Sequence, residues 1–394
     1  MLTLSLIGGV SALATSNVNL MESLRAVPEG WTKVGVPTAS TRMNFRIAMS
    51  QPNDALFEQT LYDISNPQHQ RYGQHLKRDE LKAMLRPDPA ATEAVRSWLE
   101  EAGIKQIVDD GDWVNFMATI SQAEKLLDTS FAIYRNNVNK MDKIRTLHYS
   151  IPENLHQYID MIQPTTRFGQ IRTERSQVLD VKTLGAAGTG LNVTACNASI
   201  TPDCLNDLYS IPEPEARNIS NSSVGFAAFN NFLEEVPRFA DLAQWETEYL
   251  RPAIGESFDF VSITGGSTDQ NSSSDSVEAN LDAQYLLGVG YPVPVTAYST
   301  PGRGPIVPDL DQPNATTAEN EPYLDFLTYI LAQSDDELPH TLTTSYGEDE
   351  QSVPLAYRTT VCNMFGQLGA RGVSVLFSSG DTGVGSACQT NDGT

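Results

Sequence analysis

The acidic side chains with the most suggestive spacing are Glu278 and Asp282, in the segment SVEANLDAQYLLG. Its apolar residues recur at helical intervals, and a four-residue step on a helix brings two side chains onto one face, a turn apart. Two carboxylates held so close repel one another unless one keeps its proton or a partner intervenes. A pair that shares a proton is acid–base machinery suited to low pH, where an imidazole is already protonated. Leu281, Tyr285 and Leu286 supply an apolar flank expected to bury the pair in part. Two plainer readings stay open. Asp275 followed by Glu278 fits a helix capping box, and Asp282 fits a solvated face.

A third carboxylate, Asp381, stands in SSGDTGVG, directly after the apolar run VSVLF. Gly380, Gly383 and Gly385 allow a tight turn there, so Asp381 suits turn chemistry as well as catalysis at a strand end. SYGEDE closes another strand-like run, and its Ser345, Tyr346 and Gly347 could offer backbone groups to an extended ligand or simply form an acidic turn. Other chemistries are poorly supplied. The second half holds one histidine, His340, so there is no histidine-rich metal set. A Ser-His-Asp arrangement would have to use His340, and no Gly-x-Ser-x-Gly elbow exists. Gly185, Gly188 and Gly190 do not lie between a strand and a helix. A hydrolase built on this chain must use carboxylates.

The elements that would position these groups follow from the apolar periods. RMNFRIAMS alternates like a strand, while DALFEQTLYDIS and DELKAMLRPDPAATEAVRSWLEEAG carry helical spacing. QIVDDGDWVNFMATI reads as two strands about an Asp-Gly turn, and ISQAEKLLDTSF as a helix, together a compact α+β sandwich. A stretch rich in charge, Gly and Thr then marks an exposed linker, with the boundary between about Ile171 and Asn192. Beyond it, SVGFAAFN, SFDFVSITGG, VPVTAYST, HTLTTSYG and VSVLFSSG alternate with helical segments, which predicts a parallel sheet covered by helices on both faces. In such folds chemistry gathers beyond the carboxyl ends of the strands, where Gly347 and Asp381 fall.

The chain has 394 residues, 40% hydrophobic and 19% charged, a length that divides into two domains. Its net charge of −23 argues against a nucleic-acid partner. No run of about 18 apolar residues follows the N-terminus, which argues against a polytopic membrane protein. The charge is uneven: residues 1–180 hold 19 basic and 21 acidic residues, a net of −2, whereas residues 181–394 hold 7 and 28, a net of −21. An acidic body repels itself less as pH falls, which suits an acid-secreted protein. MLTLSLIGGVSALATS reads as a signal peptide over residues 1–16, though without a basic first region. Cys196 and Cys204 are spaced to close a small loop, and six Asn-x-Ser/Thr sequons stand at Asn192, Asn197, Asn218, Asn221, Asn271 and Asn314. These features favour the secretory pathway.

EANLDAQYLLG, SYGEDE and VLFSSGDTGVG, in this order and spacing, resemble the motifs of the sedolisin family of serine-carboxyl peptidases, and among them the fungal tripeptidyl peptidases. VPEGW, NPQHQRYGQHL and VRSWLEEAGI resemble the same family's pro-kumamolisin-type activation propeptide, so the resemblance covers the chain from about Glu22 onward. It implies an α/β, subtilisin-like parallel sheet over residues 196–394, incomplete at its C-terminal end. Before it the resemblance implies a linker and processing region at 179–195 and an α+β, ferredoxin-like propeptide domain at 22–178. Carried over by position, Glu278 resembles the general base, Asp282 its orienting partner, and Asp381 the acid that donates to the oxyanion. Ser345, Tyr346 and Gly347 resemble the strand that pairs with bound peptide.

The family's nucleophilic serine lies in a Gly-Thr-Ser-type motif beyond the SGD segment, and its calcium loop is also C-terminal. This chain stops at Thr394, so the resemblance implies a truncated product without the serine and without calcium ligands. Cys388 resembles a cysteine whose partner lies in that same region, while Cys362, beside Val361 and Phe365 on a predicted helix, is expected to be a buried free thiol. The resulting expectation is a secreted, monomeric, acid-acting peptidase zymogen whose partners are a peptide substrate and its own propeptide, with no nucleic acid or membrane. The alternative is an inactive secreted glycoprotein that acts at most as a propeptide-type inhibitor or binding protein.

Overall fold

The computed structural model describes residues 18–380, except 29–30, 52–53, 138–139, 141, 169–195, 198, 213–218, 220–221, 231–235, 272–275, 303, 308–319 and 348–349. The signal-peptide, linker and Asp381 expectations therefore fall outside the described residues.

In chain order the first half builds β1 (Val18–Ser23), β2 (Trp31–Gly35), β3 (Arg42–Met49), α1 (Asp54–Ser65), α2 (Arg78–Leu85), α3 (Pro89–Glu101), β4 (Gln106–Asp109), β5 (Trp113–Thr119), α4 (Ile120–Leu126), β6 (Ala132–Asn136), β7 (Asp142–Arg145), β8 (His148–Pro152) and β9 (Ile159–Gln163). The main sheet runs β4-β5-β3-β9, every pair antiparallel. With helices between β3 and β4 and between β5 and β9, this is the ferredoxin-like α+β arrangement that was expected. The long segment read as helical is divided. Pro87 and Pro89 end α2 and begin α3, and Asp88 caps the new helix by accepting from the Ala90 N–H at 2.7 Å.

Strand alternation splits this sheet's two faces. Phe45, Ile47, Val114, Phe116 and Ala118 pack against Ala91, Val95 and Leu99 of α3 and Ile120, Ala123 and Leu126 of α4. Ala48, Trp113 and Met161 point the other way, into the second half of the molecule.

That half builds α5 (Pro202–Tyr209), β10 (Val224–Asn230), α6 (Phe239–Tyr249), β11 (Asp259–Ser262), α7 (Glu278–Gly290), β12 (Val295–Pro301), α8 (Tyr323–Ala332), β13 (Thr341–Thr344), α9 (Leu355–Ala370) and β14 (Ser374–Phe377). The strands form one parallel sheet in the order β11-β12-β10-β13-β14. Helices α6 and α7 cover one face through Phe226, Ala228, Leu242, Trp245, Ala283 and Leu287. Helices α8 and α9 cover the other through Phe229, Phe326, Leu327, Ile330, Met364 and Leu368.

The two halves meet along α9. Trp113 joins the core that contains Val361, Met364 and Leu368. Phe57, Leu61, Leu81 and Leu85 close on Ala370 at its far end. Glycine makes that approach possible, since a Cβ at Gly366 would lie 3.2 Å from the Phe57 ring and one at Gly369 3.3 Å from Leu61. At the rim, Arg167 lies over the Tyr357 ring, 5.4 Å from its centroid. Lys143 and Arg145 of β7 lie toward Asp325 of α8. Burial pulls them down to about 8 and about 10 respectively, against the opposing pull of Asp325.

Asp335 anchors the seam. It accepts from the Arg78 backbone N–H at 3.1 Å and pairs with the buried Arg371 guanidinium at 2.8 Å. Burial works against its charge, but the Arg371 hydrogen bond, the Arg78 N–H and nearby Lys77 outweigh it and hold the carboxyl below its ordinary value. A lowered folded value gives stability that is complete above the unfolded value of about 3.9 and lost as pH falls through the folded one. We expect Asp335→Asn to lower the melting temperature at neutral pH and to flatten its fall between about pH 4 and 2. Calorimetric curves of the two proteins that stay parallel through that window would refute this.

Candidate active site

Helix α7 begins at Glu278, with Val277 at its N-cap and no side-chain cap. The capping-box reading thus gains no support, and Asp275 lies outside the described residues. The buried stripe of α7 is Ala279, Asp282, Ala283, Leu287 and Gly288. Small residues at 279 and 283 let the helix sit close to the sheet, and Asp282 between them is drawn inside, only 9% exposed. Leu281 turns outward at 50% exposure, so the apolar flank expected of it is not there. Tyr285 and Leu286 do pack against the core. Glu278 is half-buried in the first turn, where the positive end of the helix dipole favours a carboxylate. The helix is tied down by Asn280, which accepts from the Arg238 N–H at 2.9 Å and donates to Asp241 at 2.7 Å.

The partner of Asp282 comes from the sheet. Ser345, immediately after β13, donates its hydroxyl to Asp282 Oδ1 at 2.5 Å. This contact places the start of α7 over the carboxyl ends of the strands. Ser345 is itself fixed, because its carbonyl accepts from the Ser378 hydroxyl at 3.0 Å and the Ser378 N–H reaches the Thr344 carbonyl at 3.1 Å. The Tyr323 hydroxyl of α8 donates to the Tyr346 carbonyl at 2.5 Å, and the Tyr346 ring lies 5.1 Å from that of Phe229. A Cβ at Gly347 would meet nothing within 4 Å, so the backbone there is open. Ser345 to Gly347 and the two acids of α7 thus share one end of the sheet. Gly380 has φ of +71°, the left-handed turn that glycine adopts freely, and Asp381 follows it outside the described residues.

A buried polar knot beside this site was not anticipated. Asn230, at the end of β10 and 1% exposed, accepts from the Ser267 N–H at 2.9 Å and from the Ser299 hydroxyl. Gly266 is required there, because a Cβ would fall 2.0 Å from the Ser299 carbonyl oxygen. The available signal was an amide side chain closing an otherwise apolar strand. His340 lies at the opposite, amino end of β13, 3.0 Å from the Ser223 hydroxyl, remote from Ser345.

The cysteine readings divide. Cys196 and Cys204 are disulfide-bonded, as their spacing allowed. Cys362 is exposed, which corrects the buried thiol. The inward stripe of α9 is Tyr357, Val361, Met364 and Leu368, and residue 362 falls one step around the helix from it. Cys388 is outside the described residues, as are Asn192, Asn218, Asn221 and Asn314, whereas Asn197 and Asn271 are exposed. Among the described residues no three His, Cys, Asp or Glu side chains gather to hold a metal ion. A cavity of about 360 Å³ lies away from the acids, between Trp113, Asp112 and Ser50 and the Thr360–Asn363 side of α9. No helix among the described residues is long and apolar enough to cross a membrane.

Residues 29–168 match the pro-kumamolisin activation domain family. The chain is 45% identical over 392 residues, 98% of its length, to the tripeptidyl-peptidase SED4 of Arthroderma otae. It is 43% identical over 388 residues, 96% of its length, to a probable tripeptidyl-peptidase SED3 of Trichophyton verrucosum. It is 39% identical over 383 residues, again 96% of its length, to the tripeptidyl-peptidase SED2 of Arthroderma otae. In each case it spans 64% of the relative's length.

The polar knot predicts a stability effect independent of chemistry. Asn230→Ala leaves the Ser267 N–H without its acceptor, while the Ser299 hydroxyl keeps the Ser267 carbonyl, at a cost of about 1–3 kcal/mol. Urea unfolding that shows less than about 0.5 kcal/mol would refute the assignment.

Proposed function

Because the chain belongs to the sedolisin family of serine-carboxyl peptidases and carries its activation domain, we propose that it is the zymogen part of a secreted, acid-acting tripeptidyl-peptidase. The observation that carries the chemistry is the placement of Asp282. It is buried one turn from Glu278 and held by Ser345 at the carboxyl ends of parallel strands.

In this reading Glu278 is the general base. It takes the proton of a serine hydroxyl as the oxygen attacks the peptide carbonyl, and it returns the proton to the leaving amine. Water then repeats the sequence on the acyl-enzyme. Asp282 orients Glu278 and shares its titration, which makes the two a coupled pair. Asp381, protonated in acid, donates a hydrogen bond to the developing oxyanion. The serine and the calcium loop belong to the part of the family's sequence that lies C-terminal to the region this chain spans. Ser345 to Gly347 align the peptide backbone as an added strand.

Residues 22–178 are proposed as the propeptide, 179–195 as the processed linker and 196–394 as the peptidase part. The propeptide binds on α9 and shields the enzyme until acid weakens the seam. Residues 1–16 direct secretion, and Asn197 and Asn271 are accessible sites for glycans.

The test uses the protein expressed from its full transcript, including whatever coding sequence follows residue 394. A fluorogenic tripeptide amide with a free N-terminus should be cleaved below neutral pH. Glu278→Gln and Asp381→Asn should each lower kcat/KM by about 10²- to 10⁴-fold with the melting temperature kept. A Glu278→Gln enzyme within about threefold of wild type would overturn the assignment.

A further inference from the structure

Helix α6 turns Leu242, Trp245 and Glu246 inward, at the three- and four-residue steps of a face that meets a core. Two of the three are what such a face requires. The third is a carboxyl, only 1% exposed, in the layer built by Leu242, Trp245, Leu250, Ala253 and Phe258. The proposed chemistry does not use it. Its Oε2 accepts one backbone N–H, that of Gly255, at 3.1 Å. Among the described residues its Oε1 is buried without a donor, and no cation pairs with the group. An ionised carboxylate in an apolar layer needs a counter-charge or several donors, whereas a neutral carboxyl costs far less there. We propose that Glu246 is a pH-sensitive element of the fold, seated in the core as a neutral carboxylic acid, whose ionisation loosens the α6–α7 layer as pH rises.

The groups around Glu246 do not offset its charge. On α6 itself Asp241 holds the Asn280 amide, Glu248 is exposed, and the Tyr249 ring lies against Trp245. The turn Arg251–Ala253 carries an exposed Arg251, and Glu256, just beyond Gly255, is a second acid. On α7 the Tyr285 hydroxyl donates to the Ile200 carbonyl, and Tyr291 packs at the edge of the layer. Glu278 and Asp282 flank Asn280, level with Arg238 and Asp241 at the opposite end of α6. Asp203, Asp207 and Tyr209 of α5 and Asp259 of β11 are exposed. β10 and β12 give the layer Phe226, Ala228, Val295 and Ala297, which carry no charge. Burial raises the proton affinity of Glu246, the Gly255 N–H pulls the other way, and the charge of Glu256 adds to the rise. The effect reaches α7 through Trp245, whose ring lies 5.7 Å from that of Tyr285 and 2.9 Å from where a Cβ at Gly288 would fall. Charge entering at Glu246 thus weakens the packing that seats the helix of Glu278 and Asp282. A raised folded value gives stability that is complete below the unfolded value of about 4.3 and lost as pH rises through the folded one. That sign is opposite to the one for Asp335, so the two effects separate by pH.

This behaviour does not depend on the peptidase reading, and its test needs no activity. Melting temperatures of this chain are measured between about pH 4 and 8 for wild type, Glu246→Gln and Glu248→Gln. A Gln at 246 keeps an acceptor for the Gly255 N–H, and any fixed packing penalty drops out of the pH dependence. Glu248→Gln removes the same charge from the exposed face of the helix and controls for net charge. The melting temperature of Glu246→Gln relative to wild type should rise by about 2–4 °C from the acid to the neutral end, and that of Glu248→Gln by less than about 1 °C. Glu256→Gln, at an exposed position, should recover part of that difference in the wild-type background and none in the Glu246→Gln background. A Glu246→Gln curve parallel to wild type, or a Glu248→Gln curve that flattens as much, would overturn the proposal. So would an effect of Glu256→Gln that survives in the Glu246→Gln background.

Discussion

Helix α9 has to serve two hydrophobic cores at once, and the arrangement of both halves follows from that constraint. Its Val361, Met364 and Leu368 belong to the core under the parallel sheet, and that core also takes in Ala48, Trp113 and Met161 from the first half. Its glycines at 366 and 369 admit Phe57 and Leu61 on another side. Neither half closes its apolar surface alone. The ferredoxin-like sheet covers one face with its own helices and leaves the other for α9. A helix with apolar neighbours on more than one side has no single amphipathic stripe, and most of its stability must come from tertiary contacts.

The seam and the acids lie on opposite faces of the parallel sheet, so coupling between them has to pass through the ends of the strands. The structure offers one such route. Tyr323 begins α8, on the face where the first half docks, and its hydroxyl reaches both the Thr344 side chain and the Tyr346 carbonyl, next to Ser345. Two residues along, Asp325 is the counter-charge toward which Lys143 and Arg145 are buried. The strand ends are also where buried backbone needs polar partners. Asn230, Ser299, Thr344 and Ser378 meet that need with side chains, which bond the Ser267 N–H, the Ser267 carbonyl, the Tyr346 N–H and the Ser345 carbonyl.

Much of this was readable from the residues. The parallel sheet followed from apolar runs alternating with helical periods, and the central antiparallel strands from period-two alternation. The short strands β1, β2, β6, β7 and β8 did not, because runs of four to six residues are too short to show a period, even in β8, where four of the five residues are buried. The spacing of Glu278 and Asp282 put both on one face, yet it did not say which face turned inward. Leu281 was the natural choice to be buried. Close approach to the sheet instead selected the side with Ala279 and Ala283, and Asp282 went in with them. Cys362 failed for the same reason, since apolar neighbours at 361 and 365 do not decide the angular position of 362. The Ser345 contact joins residues 63 apart and depends on strand order, which a single sequence does not contain.

The inequality of the two acids is the last consequence of that strand order. Glu278 sits half-buried in the first turn of α7, where the helix dipole favours a carboxylate. Asp282 lies one turn deeper, where ionisation is costly without a donor. Ser345 offsets that cost, because a hydroxyl aimed at a carboxylate favours its charge. That hydroxyl sits on the segment expected to align a peptide backbone. One rigid strand end thus fixes both that segment and the carboxyl beside it.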